Sequence, residues 1–227
     1  MATIKDHPLR YALNSELHAR PFPSLTVPHV GAYLAIRQPG DAASRDRSQD
    51  LDHLCALLKH YGAPLPADNA THYYGPMGKY ALKWEQHTEF VTYTVFLDQA
   101  GTRPFDPAEF DVFPESWRSN LNAERITSIL LRLVKRPEQD TEISDALSDW
   151  FVPESLAVAS VLDEAAVVAS DFRIDSSGHM RMAIFASEGT GSRRLGRIVQ
   201  RLCEIETYKS MSMLGFAQVR DFGGQLN

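Results

Sequence analysis

The stretch Lys83-Trp84-Glu85-Gln86-His87-Thr88-Glu89-Phe90 gathers more chemically capable side chains than any other eight residues of the chain. Alternation along a strand sends Lys83, Glu85, His87 and Glu89 to one face and Trp84, Gln86, Thr88 and Phe90 to the other. Neighbours in the polar set then lie roughly 6–7 Å apart. His87 with Glu85 or Glu89 beside it can serve as a general base, because a flanking carboxylate lifts the imidazole pKa toward working pH. The same residues, with His72 as a further donor, are of the types that zinc, iron or manganese accept. A third arrangement does no chemistry: Lys83 pairs with Glu85 on a polar sheet face. Neither HxH nor HExxH is present. No metal or other cofactor is therefore expected, and the cluster matches no catalytic signature.

A second cluster lies in Asn14-Ser15-Glu16-Leu17-His18-Ala19-Arg20-Pro21. In an extended segment Glu16, His18 and Arg20 share one side, where Arg20 can hold an anion and His18 can join the central site. In a helix they diverge, and Arg20 is left as a structural ion-pair partner. A third lies near the C-terminus, where Arg193, Arg197 and Arg201 recur at helical spacing and Glu204 and Tyr208 continue the stripe. Leu195, Ile198, Val199, Leu202 and Ile205 are the expected apolar face. Gly189-Thr190-Gly191-Ser192 opens this helix but lacks the lysine and spacing of a P-loop. Gly191-Ser192-Arg193 is no nucleophile elbow. The expected ligand-binding set is Glu16, His18, Arg20, Lys83, Arg197 and Arg201, beside a catalytic set of His87, Glu85 and Glu89.

The elements that must position these residues follow from periodicity and turn residues. Residues 8–19 read as a short helix ended by Arg20-Pro21-Phe22-Pro23. Thr26 to Arg37 reads as a strand that Pro28 either starts late or confines to an edge. Ser44 to Tyr61 is a helix stopped by Gly62 and Pro64. A short strand, Thr71 to Tyr74, precedes a turn at Gly75-Pro76-Met77-Gly78. Lys79 to Leu97 has no glycine or proline and is too long for one straight strand, so a bend or turn is expected between Gln86 and Thr88. Trp117 to Glu124 is a short helix, Arg125 to Lys135 a strand, and Thr141 to Phe151 a helix capped by Asp140 or Thr141. Two strands (155–162 and 165–174) and a hairpin turn at Asp175-Ser176-Ser177-Gly178 lead to a returning strand, 179–185. A helix then runs to about Leu214.

This order gives an N-terminal arm (1–25), a first unit (26–97), a connector (98–124), a second unit (125–186) and a final helix with its tail (187–227). Both units read β-α-β-β-β, the pattern of an internal duplication. The expected fold is α+β, one compact domain of antiparallel sheets with helices packed on one face.

The 227 residues suffice for a large core without disulfides or metal. Acidic residues outnumber basic ones, 29 to 23, for a net charge of −6. That balance argues against a general nucleic-acid binder. Cys55 and Cys203 sit among apolar neighbours and are expected as buried thiols in a reducing compartment. The first ten residues lack an apolar core of a signal peptide, and no apolar run is long enough to span a membrane.

Four stretches resemble the bacterial DUF3422 family: Leu13 to Pro21, Lys83 to Phe90, Asp171-Phe172-Arg173-Ile174-Asp175, and Gly196 to Tyr208. They occur in the family's order and span nearly the whole chain. The resemblance carries no established activity. It implies membrane association, since longer members continue into a helical region and C-terminal membrane segments, whereas this chain stops at Gly223-Gly224-Gln225-Leu226-Asn227. It is expected as a short member or a piece of a longer one. The functional expectation is a non-enzymatic module that binds a ligand or a protein partner, in the cytoplasm or at the inner face of the membrane. The alternatives are an acid–base enzyme, such as a hydrolase, built on His87, and a homodimer formed through the final helix.

Overall fold

The computed structural model describes residues 4–8, 10–11, 22–40, 45–99, 101 and 103–225. Strand β1 (His29–Arg37) is followed by helix α1 (Arg47–His60) and strands β2 (His72–Met77), β3 (Tyr80–Gln86) and β4 (Val91–Leu97). A 3-10 turn (Pro107–Val112) and helix α2 (Glu115–Ser119) lead into β5 (Glu124–Lys135) and α3 (Asp140–Trp150). Strands β6 (Ala157–Val161), β7 (Ala166–Ser170) and β8 (Met180–Ala186) precede the long helix α4 (Ser192–Gln225).

All eight strands form one sheet in the order β2-β3-β4-β1-β5-β8-β7-β6. Each half thus places its fourth strand beside its first, and the halves join where β1 pairs β5. The α+β class holds, with two corrections to the expected layers. First, the sheet is mixed, because β5 and β8 run parallel. Second, helices cover both faces. Leu54, Leu57 and Leu58 of α1, Phe110 and Phe113 of the 3-10 turn, Trp117, and Ile143 and Leu147 of α3 pack on one face. Leu195, Ile198, Val199 and Cys203 of α4 pack on the other, with Leu25 from the arm. Burial on both sides explains why β1 reads as a nearly continuous apolar run, Val-Gly-Ala-Tyr-Leu-Ala-Ile.

Several boundaries also move. Pro28 starts β1 late, and the strand is central rather than at an edge. Gly75-Pro76-Met77 belongs to β2, whose edge position leaves the missing proline N–H without consequence. Gln139, not Asp140 or Thr141, occupies the α3 cap and makes no side-chain capping bond. The chain between Lys79 and Leu97 is a hairpin: the His87 N–H donates to the Phe90 carbonyl at 2.8 Å around Thr88 and Glu89. Arg10 and Tyr11 are helical, whereas the rest of the expected N-terminal helix lies outside the described residues.

Candidate functional site

The hairpin decides where the central cluster points. Register pairs Lys83 with Thr94 and Glu85 with Thr92, so these side chains share the face that α4 covers. Trp84 and Leu82 go to the opposite face, into the core beneath α1. The polar face is therefore buried. Lys83 is 4% exposed, Glu85 5% and His87 5%. Glu89, on the turn, is exposed and does not join them.

The turn has no glycine or asparagine, and a side chain from elsewhere holds it. The Arg45 guanidinium donates to the carbonyls of His87 (2.7 Å) and Thr88 (3.0 Å) and pairs with buried Asp50 of α1. Gln86 also donates to Asp50, at 3.1 Å. The β3–β4 turn is thereby tied to the start of α1.

Under α4 the polar groups form a chain. Lys83 Nζ lies 2.6 Å from Glu85 Oε1 and donates to Gln200 Oε1 at 2.9 Å. Gln200 Nε2 donates to Glu204 Oε1 at 2.7 Å, and Arg201 Nη1 donates to Glu204 Oε2 at 2.9 Å. Charge at the sheet surface is thus relayed through one amide to an ion pair at the solvent edge. Beside it, Thr207 donates to the Cys203 carbonyl at 3.0 Å, which leaves the Tyr33 hydroxyl to donate to Thr207 Oγ1 at 2.7 Å. Burial pushes the Tyr33 hydroxyl and the Cys203 thiol well above their ordinary pKa values, so both stay neutral. His87 stacks on Phe90 at 4.3 Å, and Tyr208 closes edge-on over both rings. The space left among these side chains is about 20 Å³, room for one water molecule.

The arm enters beside this cluster. Phe22 lies under the guanidiniums of Arg197 (5.0 Å) and Arg201 (5.9 Å). Pro23 crosses α4 at Gly196, where a Cβ would stand 1.7 Å from the Pro23 carbonyl oxygen. Ser24 and Leu25 then hydrogen-bond to Ser192 at the helix start. Glu16, His18 and Arg20 lie outside the described residues. Of the expected site residues, the structure gathers Lys83, Glu85 and His87 under α4 and places Arg197 and Arg201 at the rim.

The family model for a protein of unknown function, DUF3422, matches residues 5–227. The chain belongs to that family. No curated protein and no solved structure matches it. In this DUF3422 chain the pattern missed Gln200, Cys203 and Thr207, which face the cluster from α4. The signal was present, since these polar residues interrupt the apolar stripe of the helix at i, i+3 and i+7. Ile205, expected on that stripe, is instead 65% exposed, and Glu206 and Thr207 take the buried positions. Among the described residues, no three His, Cys, Asp or Glu side chains converge as metal ligands do. No helix is long and apolar enough to cross a membrane.

Proposed function

We propose that this DUF3422 chain is a non-enzymatic interaction module that presents the distal half of α4 to a protein partner. The observation that carries this reading is the division of that helix. Up to Tyr208, every turn places side chains on the sheet or in the polar cluster. Beyond it, α4 runs on for roughly 25 Å, at 1.5 Å per residue. Met213, Leu214 and Phe216 are 59%, 41% and 65% exposed along that length. Exposed apolar side chains grouped in this way mark partner surfaces more often than chance scatter. The cluster around His87 fits the role of an anchor, because a cavity of about 20 Å³ admits no substrate. Two unpaired thiols, Cys55 and Cys203, fit a cytoplasmic setting. Work at the inner face of a bacterial membrane is part of the same proposal.

The test is site-specific photo-crosslinking in the native host, with benzoylphenylalanine placed at Phe216 and, as a control, at Val158 on β6. A discrete adduct from position 216 that is absent from position 158 is the expected result. If position 216 gives no adduct, or both positions give the same adducts, the reading fails.

A further inference from the structure

The face of the sheet opposite α4 carries a second concavity, far from His87. It opens between the start of β1, the end of β4 and the 3-10 turn, and holds about 280 Å³. That approaches the size of small-molecule sites. Val30, Ala32, Val95 and Val112 supply apolar wall. Into it projects Glu109, whose Oε2 is buried and accepts no hydrogen bond among the described residues.

The polar groups around Glu109 are otherwise engaged. The Asp106 carboxylate caps the turn by accepting from the Ala108 N–H at 3.0 Å. The Arg132 guanidinium, on β5, lies 5.3 Å over the Trp150 ring and donates to the Gly101 carbonyl at 3.4 Å. Its own Nε is likewise buried without an acceptor. The chain at Gly101 passes so close to the carboxylate that a Cβ there would lie 2.8 Å from Glu109 Oε1. Lys79 and Arg103 stand among the lining residues, and the Lys79 ammonium lies 5.3 Å over the Tyr80 ring.

We infer that this cavity binds a small organic amine, with the ammonium on the Glu109 carboxylate and the hydrocarbon body against the valines. An acceptor oxygen in an apolar wall calls for a donor, and a charged donor makes the stronger bond. A divalent metal would need several free oxygens, and here one carboxylate is free while Asp106 is used. Burial raises the Glu109 carboxyl to about 7, against the opposing influence of Arg132 and with a smaller upward push from Asp106. An amine therefore competes with a proton at neutral pH. This site is independent of the α4 reading.

The experiment is an ¹⁵N-HSQC titration of the whole chain with benzylamine, benzyl alcohol and benzoate. Benzylamine should saturate at millimolar concentration, with shifts centred on the Gly31, Gly101 and Glu109 amides. Its affinity should rise about tenfold from pH 6 to pH 8 as the carboxyl ionises. Glu109→Gln should weaken it at least about tenfold, a loss of one charge-assisted bond. Ala108→Trp, at an exposed position on the lining, should block it without touching the core. Equal or tighter binding of benzoate, or benzylamine shifts that survive both substitutions, would overturn the assignment.

Discussion

Removing the ammonium of Lys83 tests whether the polar cluster under α4 is a structural anchor. Lys83 and Glu85 side chains are 5% and 6% exposed, and they lie 2.6 Å apart. Lys83→Met keeps the stem of the side chain and deletes the charge. It takes the ammonium at 2.6 Å away from the buried Glu85 carboxylate and removes the lysine donor to Gln200 Oε1. Breaking a buried pair from one side costs about 3–5 kcal/mol. Glu85→Leu removes the carboxylate 2.6 Å from the lysine and should cost a similar amount. The double substitution removes both charges and leaves the Gln200 acceptor without this donor, about 1–2 kcal/mol. The cycle therefore predicts a coupling of at least ~4 kcal/mol, where a solvated pair would give under ~1 kcal/mol. Urea unfolding followed by tryptophan fluorescence reads it directly, since Trp84 lies between the two positions and is fully buried. Additive single costs, each below ~1 kcal/mol, would show that water reaches the pair and that α4 does not seal it.

Two further outcomes follow from the packing. Gly196→Ala forces a methyl group into the Pro23 carbonyl oxygen, and backbone cannot yield cheaply. It should destabilise the chain by about 1–3 kcal/mol and expose the Ser24–Leu25 bond, whose leucine is buried against the helix, to thermolysin; unchanged cleavage would mean that the arm does not cross α4 there. His179 is 5% exposed, and its Nδ1 lies 3.0 Å from Ser128 Oγ. Burial first, then Arg125, depresses its pKa, while Asp175 opposes them. A histidine depressed in the folded state contributes stability above the ordinary value of 6.5 that is lost as pH falls below it. Glu109, raised to about 7, contributes in the opposite sense over the same range, so the His179 loss is read as a difference: as pH falls below 6.5 the melting temperature of the wild type should drop relative to that of His179→Gln. An identical slope in wild type and variant would refute the assignment.

Most of the element order was legible because its signals are local. Gly62 and Pro64 stop α1, Asp175 to Gly178 turn the chain into β8, and alternation marks β4 and β5. The layers were not legible, because nothing local says which strands meet. The β5–β8 pairing is set by the α3 crossover, and helices on both faces appear in sequence only as the doubly apolar run of β1. The turn at Thr88 and Glu89 carries none of the usual hairpin residues, since Arg45, far away in sequence, supplies what they would have provided. The same turn reverses the parity of the chain. Continuing the Lys83 face past Glu89 leads to Val91, Tyr93 and Val95, but those side chains lie in the opposite core.

The burial of the central cluster bears on the register of α4. If the helix slid by one turn, roughly 5.4 Å, either Gly196 or Glu204 would replace Gln200 above Lys83. Glycine would offer no acceptor to the ammonium, and glutamate would bring a second carboxylate toward Glu85. The first loses a buried hydrogen bond and the second adds a buried carboxylate, in a space with room for one water. The arm imposes the same register independently, since only glycine at position 196 lets Pro23 pass. An apolar stripe alone, such as Leu195, Ile198 and Val199, would tolerate the slide far better, because hydrophobic contact is not directional. The polar positions thus fix where along its axis the helix sits, and with it how far Met213, Leu214 and Phe216 stand beyond the sheet.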